Sequence, residues 1–178
     1  MSRPVRSTAD RHARARSSRA RRRAAAPATP RPSLSLSIQL GDGVRELPAG
    51  RAQLRRWVAA AIDADSVLTL RFVGEREART LNARYRHRDY ATNVLTFAYP
   101  GDDGRVSADI VICMPIVQRE AREQRKPPAA HLAHLVMHGV LHACGHDHEV
   151  PEQAERMEAA EVALLARFGI ADPWRTRR

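Results

Sequence analysis

The stretch from residue 129 to residue 144 constrains this chain more than any other part of it. Leu132, Leu135, Val136, Met137, Val140 and Leu141 recur there at helical spacing, yet they occupy most of the circumference rather than one stripe. A helix that is apolar nearly all round lies inside a domain rather than on its surface. Beyond His131 at its start, its polar members are His134, His138 and His142, and buried polar groups need partners. The chain must therefore wrap a core around one helix and supply something for its imidazoles to bind.

The flanking sequence provides that core. Leu34, Leu36, Ile38 and Leu40 alternate with polar residues, the period of a half-buried strand. Leu54, Trp57, Val58 and Ile62 predict a helix over 49–62, and Val67–Val73 reads as a strand closed by Gly74. A helix over 75–86, strands at Asn93–Tyr99 and Asp109–Cys113, and helices near 115–126, 129–144 and 151–168 complete the reading. Pro127-Pro128 separates two of these helices, and Pro151 stands where helix starts tolerate proline. Strands early and helices late predict a single α+β domain. It holds a small mixed β-sheet packed with helices, and the central buried helix carries the metal ligands.

The net charge of +10 suggests a nucleic-acid partner, but it is unevenly spread. Ten of the 30 basic residues and one of the 20 acidic ones fall in residues 1–32, so that segment carries +9 and the remainder +1. Residues 1–32 are rich in Arg, Ala, Ser and Pro and too poor in apolar side chains to offset ordering entropy, which predicts a disordered basic tail. The domain is expected to span 33–174, with a short basic tail at 175–178. The Arg-rich, acid-poor tail is similar in composition to an organellar transit peptide; an RNA-binding arm, a start codon placed too early and a tail with no dedicated role are the other readings. No run of apolar residues is long enough to cross a membrane, so no membrane partner is expected. Cys113 and Cys144 form no CxxC motif and predict small buried side chains in a reducing compartment.

Six of the eight histidines fall between 131 and 148. His138 and His142 are four apart and project from one face of the helix. Gly145 lets the chain turn, so that His148 returns toward the same point. Two imidazoles from a helix and one from the following turn leave a fourth position open, the arrangement of a catalytic rather than a structural zinc ion. The spacing matches the His and Gly positions of the metzincin motif H-E-x-x-H-x-x-G-x-x-H, but Gly139 occupies the position of its general base, which argues against a peptidase. His134 is expected behind the ligands or toward the substrate, His131 at the helix start and His146 at the rim. Arg84, Arg86, His87 and Arg88 form a basic cluster suited to phosphate. Tyr85 and Tyr90 beside it offer faces on which unpaired bases can stack.

These segments resemble a known family. His138-Gly139-Val140-Leu141-His142-Ala143-Cys144-Gly145-His146-Asp147-His148 is similar to the HGxLHxxGxDH signature of the YbeY family of bacterial and organellar endoribonucleases. Leu81 to Phe97 is similar to that family's LNxxYRxxDxxTxVLSF segment, and the likeness extends over roughly residues 34–174. The resemblance implies one zinc ion on His138, His142 and His148, and a functional arginine at Arg86. It also implies cleavage of single-stranded RNA, maturation of the 3′ end of small-subunit (16S) ribosomal RNA, and ribosome quality control. The implied partners are ribosomal RNA and the ribosome or its small subunit. The implied location is the cytoplasm, or an organellar matrix if residues 1–32 are a transit sequence. His146 stands where a tyrosine is common, Thr96 replaces a serine and Ala108 a glycine.

The expected reaction is metal-assisted phosphodiester hydrolysis, with Arg86 neutralising charge that builds on the phosphoryl group. Asp147 and His134 are the candidates for a general base. The competing reading is a non-catalytic ribosome-assembly factor with a structural zinc.

Overall fold

In the computed structural model of the chain, which describes residues 31–101 and 103–175, four strands and five helices follow the predicted order. They are β1 (Leu34–Leu40), α1 (Arg51–Ala61), β2 (Ser66–Val73), α2 (Glu75–Arg86), β3 (Val94–Tyr99), β4 (Val106–Cys113), α3 (Met114–Glu123), α4 (Pro128–Ala143) and α5 (Pro151–Ala166). The expected tails lie outside the described residues over 1–30 and 176–178. Among the described residues no helix is long and apolar enough to cross a membrane.

The sheet is mixed, in the order β1-β2-β4-β3. β1 pairs parallel with β2 and β2 parallel with β4, whereas β3 joins β4 antiparallel at the edge. Parallel neighbours need a crossover, and α1 supplies the one between β1 and β2. Period-two burial sorts the two faces. Leu68, Leu70 and Phe72 of β2 and Ala108, Ile110 and Ile112 of β4 join Leu54, Trp57 and Val58 of α1 and Leu132, Val136 and Val140 of α4 in the main core. On the other face a smaller cluster, with Ala78 of α2, Leu95, Val111, Cys113 and Ile116, anchors α2.

α4 is the buried helix that the sequence predicts. It packs against β3, β4, α1, α3 and α5. Its backbone approaches the sheet most closely at Gly139, where a Cβ would stand 2.7 Å from Cγ2 of Ile110.

Two boundaries differ from the sequence reading by three residues, the others by two or fewer. β4 begins at Val106, because Val106–Ala108 continue the parallel register opposite Ser66–Leu68. α3 ends at Glu123 rather than 126. Arg125 turns left-handed with φ 53°, and the Lys126 N–H returns to the Ala121 carbonyl at 2.8 Å, closing the helix.

Candidate metal centre

α4 aligns four histidines along one side, and each of them finds an acceptor. His131 Nε2 lies 2.7 Å from Oε2 of Glu120 in α3. His134 Nε2 lies 3.0 Å from Oε2 of Glu161 in α5, and His138 Nδ1 lies 2.6 Å from Oε1 of the same carboxylate. His142 Nδ1 lies 2.9 Å from the His146 carbonyl. That last contact is made by the helix end. Gly145, at φ 88°, lets the His146 N–H return to the Leu141 carbonyl and its own N–H to the His142 carbonyl, both at 3.0 Å. This is a Schellman closure, which favours glycine because a side chain is strained at positive φ. The turn thus does more than redirect the chain: it hands a carbonyl to a candidate ligand.

The acceptors decide the tautomers. A carboxylate and a carbonyl accept only, so Nδ1 of both His138 and His142 carries a proton; in the neutral rings, the form that binds a metal, both Nε2 atoms present lone pairs. Those two Nε2 atoms face one another at 3.2 Å. Two lone pairs at that separation repel unless a proton or a metal cation lies between them. A tetrahedral zinc with Zn–N of about 2.0–2.1 Å would separate its nitrogens by roughly 3.4 Å. His148 closes the group, its ring 4.9 Å from that of His142 and 5.7 Å from that of His138, with one donor atom from each residue within 4.8 Å of the others. Burial, then the neighbouring His138 and His148, depress the His142 imidazole to about 4, so it stays neutral and free to bind a cation at neutral pH. The residues fit a metal ion.

A second set, His134, His138 and Glu161, has donors equally close together. Those atoms already pair imidazole N–H with carboxylate oxygen at 2.6 and 3.0 Å, so they are satisfied without an ion between them. Burial pushes the Glu161 carboxyl up, but hydrogen bonds from His134 and His138 outweigh it and hold the group at about 2. A cavity of about 300 Å³ opens beside this cluster, lined among others by Asn93, Glu120, His131, His134, His138 and Trp174.

The remaining predicted residues are placed as follows. His146 is at the rim and meets His142 through its backbone, not its ring. Asp147 accepts the His148 N–H at 2.7 Å, which braces the third imidazole. His134 is turned into the Glu161 network and away from the three-histidine group. Arg86 reaches the Thr96 carbonyl at 3.4 Å, and the Thr96 hydroxyl donates to the Gly139 carbonyl at 3.2 Å, so the edge strand links the basic segment to α4. No hydrogen bond joins Arg86 to a histidine among the described residues. Asp89 forks onto Arg79 at 2.7 and 2.8 Å rather than onto Arg84, Arg86 or Arg88, whose guanidinium groups pair with no carboxylate among the described residues. Tyr85 meets Phe97 edge-on and lies under the Arg84 guanidinium, while Tyr85 and Tyr90 both stay about half exposed.

Comparison with known proteins closes the question of kinship. Residues 49–169 match the family model described as endoribonuclease YbeY. The chain belongs to the YbeY family. Its similar relatives include the endoribonuclease YbeY of Cupriavidus pinatubonensis, 55% identical over 142 residues, or 78% of this chain and 70% of the relative. That of Burkholderia ambifaria is 53% identical over 143 residues, covering 77% and 82%. Among solved structures, the solution structure of TM1509 from Thermotoga maritima is 28% identical, covers 75% of this chain and 91% of its own, and superposes with a TM-score of 0.48.

For this YbeY-family chain the sequence reading missed the two glutamates behind the histidines, Glu161 and Glu120. One signal for Glu161 was available. Met157, Glu161 and Leu165 are spaced i, i+4, i+8, and the two apolar members are buried at 2% and below. A glutamate at the centre of a core stripe needs donors there.

Proposed function

We propose that this chain is a single-strand-specific, zinc-dependent endoribonuclease. It acts in maturation of the 3′ end of small-subunit ribosomal RNA and in ribosome quality control. His138, His142 and His148 hold one zinc ion, and Arg86 is the catalytic arginine. The carrying observation is the pair of Nε2 atoms facing one another at 3.2 Å with a third imidazole beside them. A bound zinc supplies Lewis acidity toward a phosphoryl oxygen and a more acidic water.

The chain's own residues do the rest. Among the described residues Arg86 has no carboxylate partner and one long hydrogen bond at 3.4 Å, so its fork can turn toward a phosphate without breaking an ion pair. Arg84 stacked over Tyr85 gives an exposed cationic and aromatic edge that suits an unpaired strand. His134 is engaged with Glu161 and its other ring nitrogen is buried, so it is not poised as a general base, whereas Asp147 gives one oxygen to the His148 N–H and keeps the other for that role. Ribosomal RNA and the small subunit are the partners that family membership suggests, with the cytoplasm as the place of work, or an organellar matrix if residues 1–32 are a transit sequence.

The test is zinc content and cleavage of single-stranded RNA, for wild type and His142→Ala, in preparations free of other nucleases. We expect one zinc per chain and cleavage in the wild type, and neither in the variant. A wild type that takes up zinc and binds ribosomal RNA without cutting it would establish the assembly-factor reading instead.

A further inference from the structure

Of the two glutamates behind the histidine row, Glu161 reaches a ring that also turns toward the candidate ion. Its carboxylate is 1% exposed. Oε1 accepts from His138 Nδ1 at 2.6 Å, and Oε2 accepts from His134 Nε2 at 3.0 Å and from the Trp174 indole N–H at 3.1 Å. Its hydrogen-bond donors among the described residues are two imidazoles and an indole, with no Lys or Arg. A carboxylate so deeply buried is costly without a positive charge nearby. A cation on the far side of the His138 ring would supply that charge.

We infer that Glu161 is a positioning residue of the metal centre. It fixes His138 as the Nδ1–H tautomer with Nε2 toward the ion, makes that ring a stronger donor, and contributes the buried negative charge that balances the ion. A carboxylate behind a ligating imidazole has this effect in general. The inference rests on the ligand assignment under Proposed function, and it makes the three ligands unequal. His138 is backed by a carboxylate, whereas His142 is backed by a neutral carbonyl and His148 is exposed. His134 shares the carboxylate without facing the ion, so it is the natural control.

The experiment is competition for zinc against a chromogenic chelator, on the full chain, for wild type, Glu161→Gln, Glu161→Ala and His134→Ala, each first checked for folding. Glutamine can still accept from His138, but it loses the charge and turns an amide N–H₂ toward a donor. We expect its zinc affinity to fall about tenfold, and that of Glu161→Ala about 100-fold, the span usual for such partners. His134→Ala should stay close to wild type. A folded Glu161→Gln with wild-type affinity overturns the inference. Zinc uptake by the wild type that His142→Ala leaves unchanged overturns the ligand assignment instead. Should the Glu161 variants fail to fold, nitrogen NMR of the zinc-loaded wild type decides. A His138 ring bearing its proton on Nδ1 and the metal on Nε2 upholds the inference, and the reverse overturns it.

Discussion

Replacing Gly139 by Ala tests how tightly the metal-bearing helix is pressed onto the sheet. The new Cβ would stand 2.7 Å from Ile110 Cγ2, 3.3 Å from Thr96 Oγ1 and 3.4 Å from Val94 Cγ2. Carbon atoms prefer about 3.5–4.0 Å, so the first contact must open by roughly 1 Å. Ile110 cannot give way easily. It is fully buried on β4, which is paired on both sides, and its branched side chain is stiff at χ1. Overpacking of this kind costs ~1–3 kcal/mol, and the better helix propensity of Ala returns ~1 kcal/mol. We expect a net loss of about 0–2 kcal/mol, read as a lower midpoint in urea at fixed, saturating zinc.

The cause is isolated by a double-mutant cycle. Ile110→Ala removes Cγ2, so adding Gly139→Ala to that background should be neutral or slightly stabilising, a coupling of at least ~1 kcal/mol. If Gly139→Ala is more stable than wild type with Ile110 intact, or the cycle shows no coupling, the close approach is not what selects glycine. The same geometry explains why the peptidase glutamate is missing: a side chain at 139 starts toward the sheet. Gly139→Glu should destabilise the fold and create no peptidase.

Three further outcomes follow from other parts of the site. His148→Ala should abolish stoichiometric zinc binding with little loss of folding, since the side chain is exposed; metal analysis after gel filtration would show it, and full occupancy would contradict the ligand set. Arg86→Ala should keep zinc and fold yet lose most RNA cleavage, with Arg86→Lys restoring part, because a point charge cannot replace a bidentate fork; wild-type cleavage by Arg86→Ala would refute its role. For Glu120, burial raises the carboxyl, but hydrogen bonds from His131 and Asn93 prevail and hold it below its ordinary 4.5. Its stabilisation is therefore present above pH 4.5 and lost as pH falls below it. The stability gap between wild type and Glu120→Gln should be widest at neutral pH and shrink in acid urea titrations.

What could be read from the sequence depended on whether the information was local. The α4 helix and its His138–His142 pair follow from period alone, and the order of all nine elements followed from patterning and from Gly and Pro punctuation. The C-terminus of α3 did not, because Arg125 adopts the left-handed turn that glycine would have announced. Glu161 was hidden for a different reason. Glu152, Glu155 and Glu158 in the same helix are solvent-facing or half so, and beyond its place between Met157 and Leu165 only the packing of α5 on α4 marks their fourth companion as a buried acceptor. Arg86 could be picked out by resemblance but not by spacing, since its link to α4 runs through the Thr96 carbonyl of another strand.

The histidine row also shows why identity of residue is not enough to define a ligand. His131 and His134 give Nε2 to carboxylates, and their Nδ1 atoms are buried without a hydrogen-bond partner. With the proton on Nε2, the unpaired atom is a bare lone pair rather than an N–H, the less costly of the two to bury. His138 and His142 reverse this arrangement. Each gives Nδ1 to an acceptor, which leaves Nε2 directed away from the protein's own hydrogen bonds and toward its twin. Glu161 marks the changeover, since it takes Nε2 from His134 on one oxygen and Nδ1 from His138 on the other. The same residue type on one helix thus serves as structural filler in its first half and as candidate ligand in its second, and the acceptors supplied by α3, α5 and the Gly145 turn make that division.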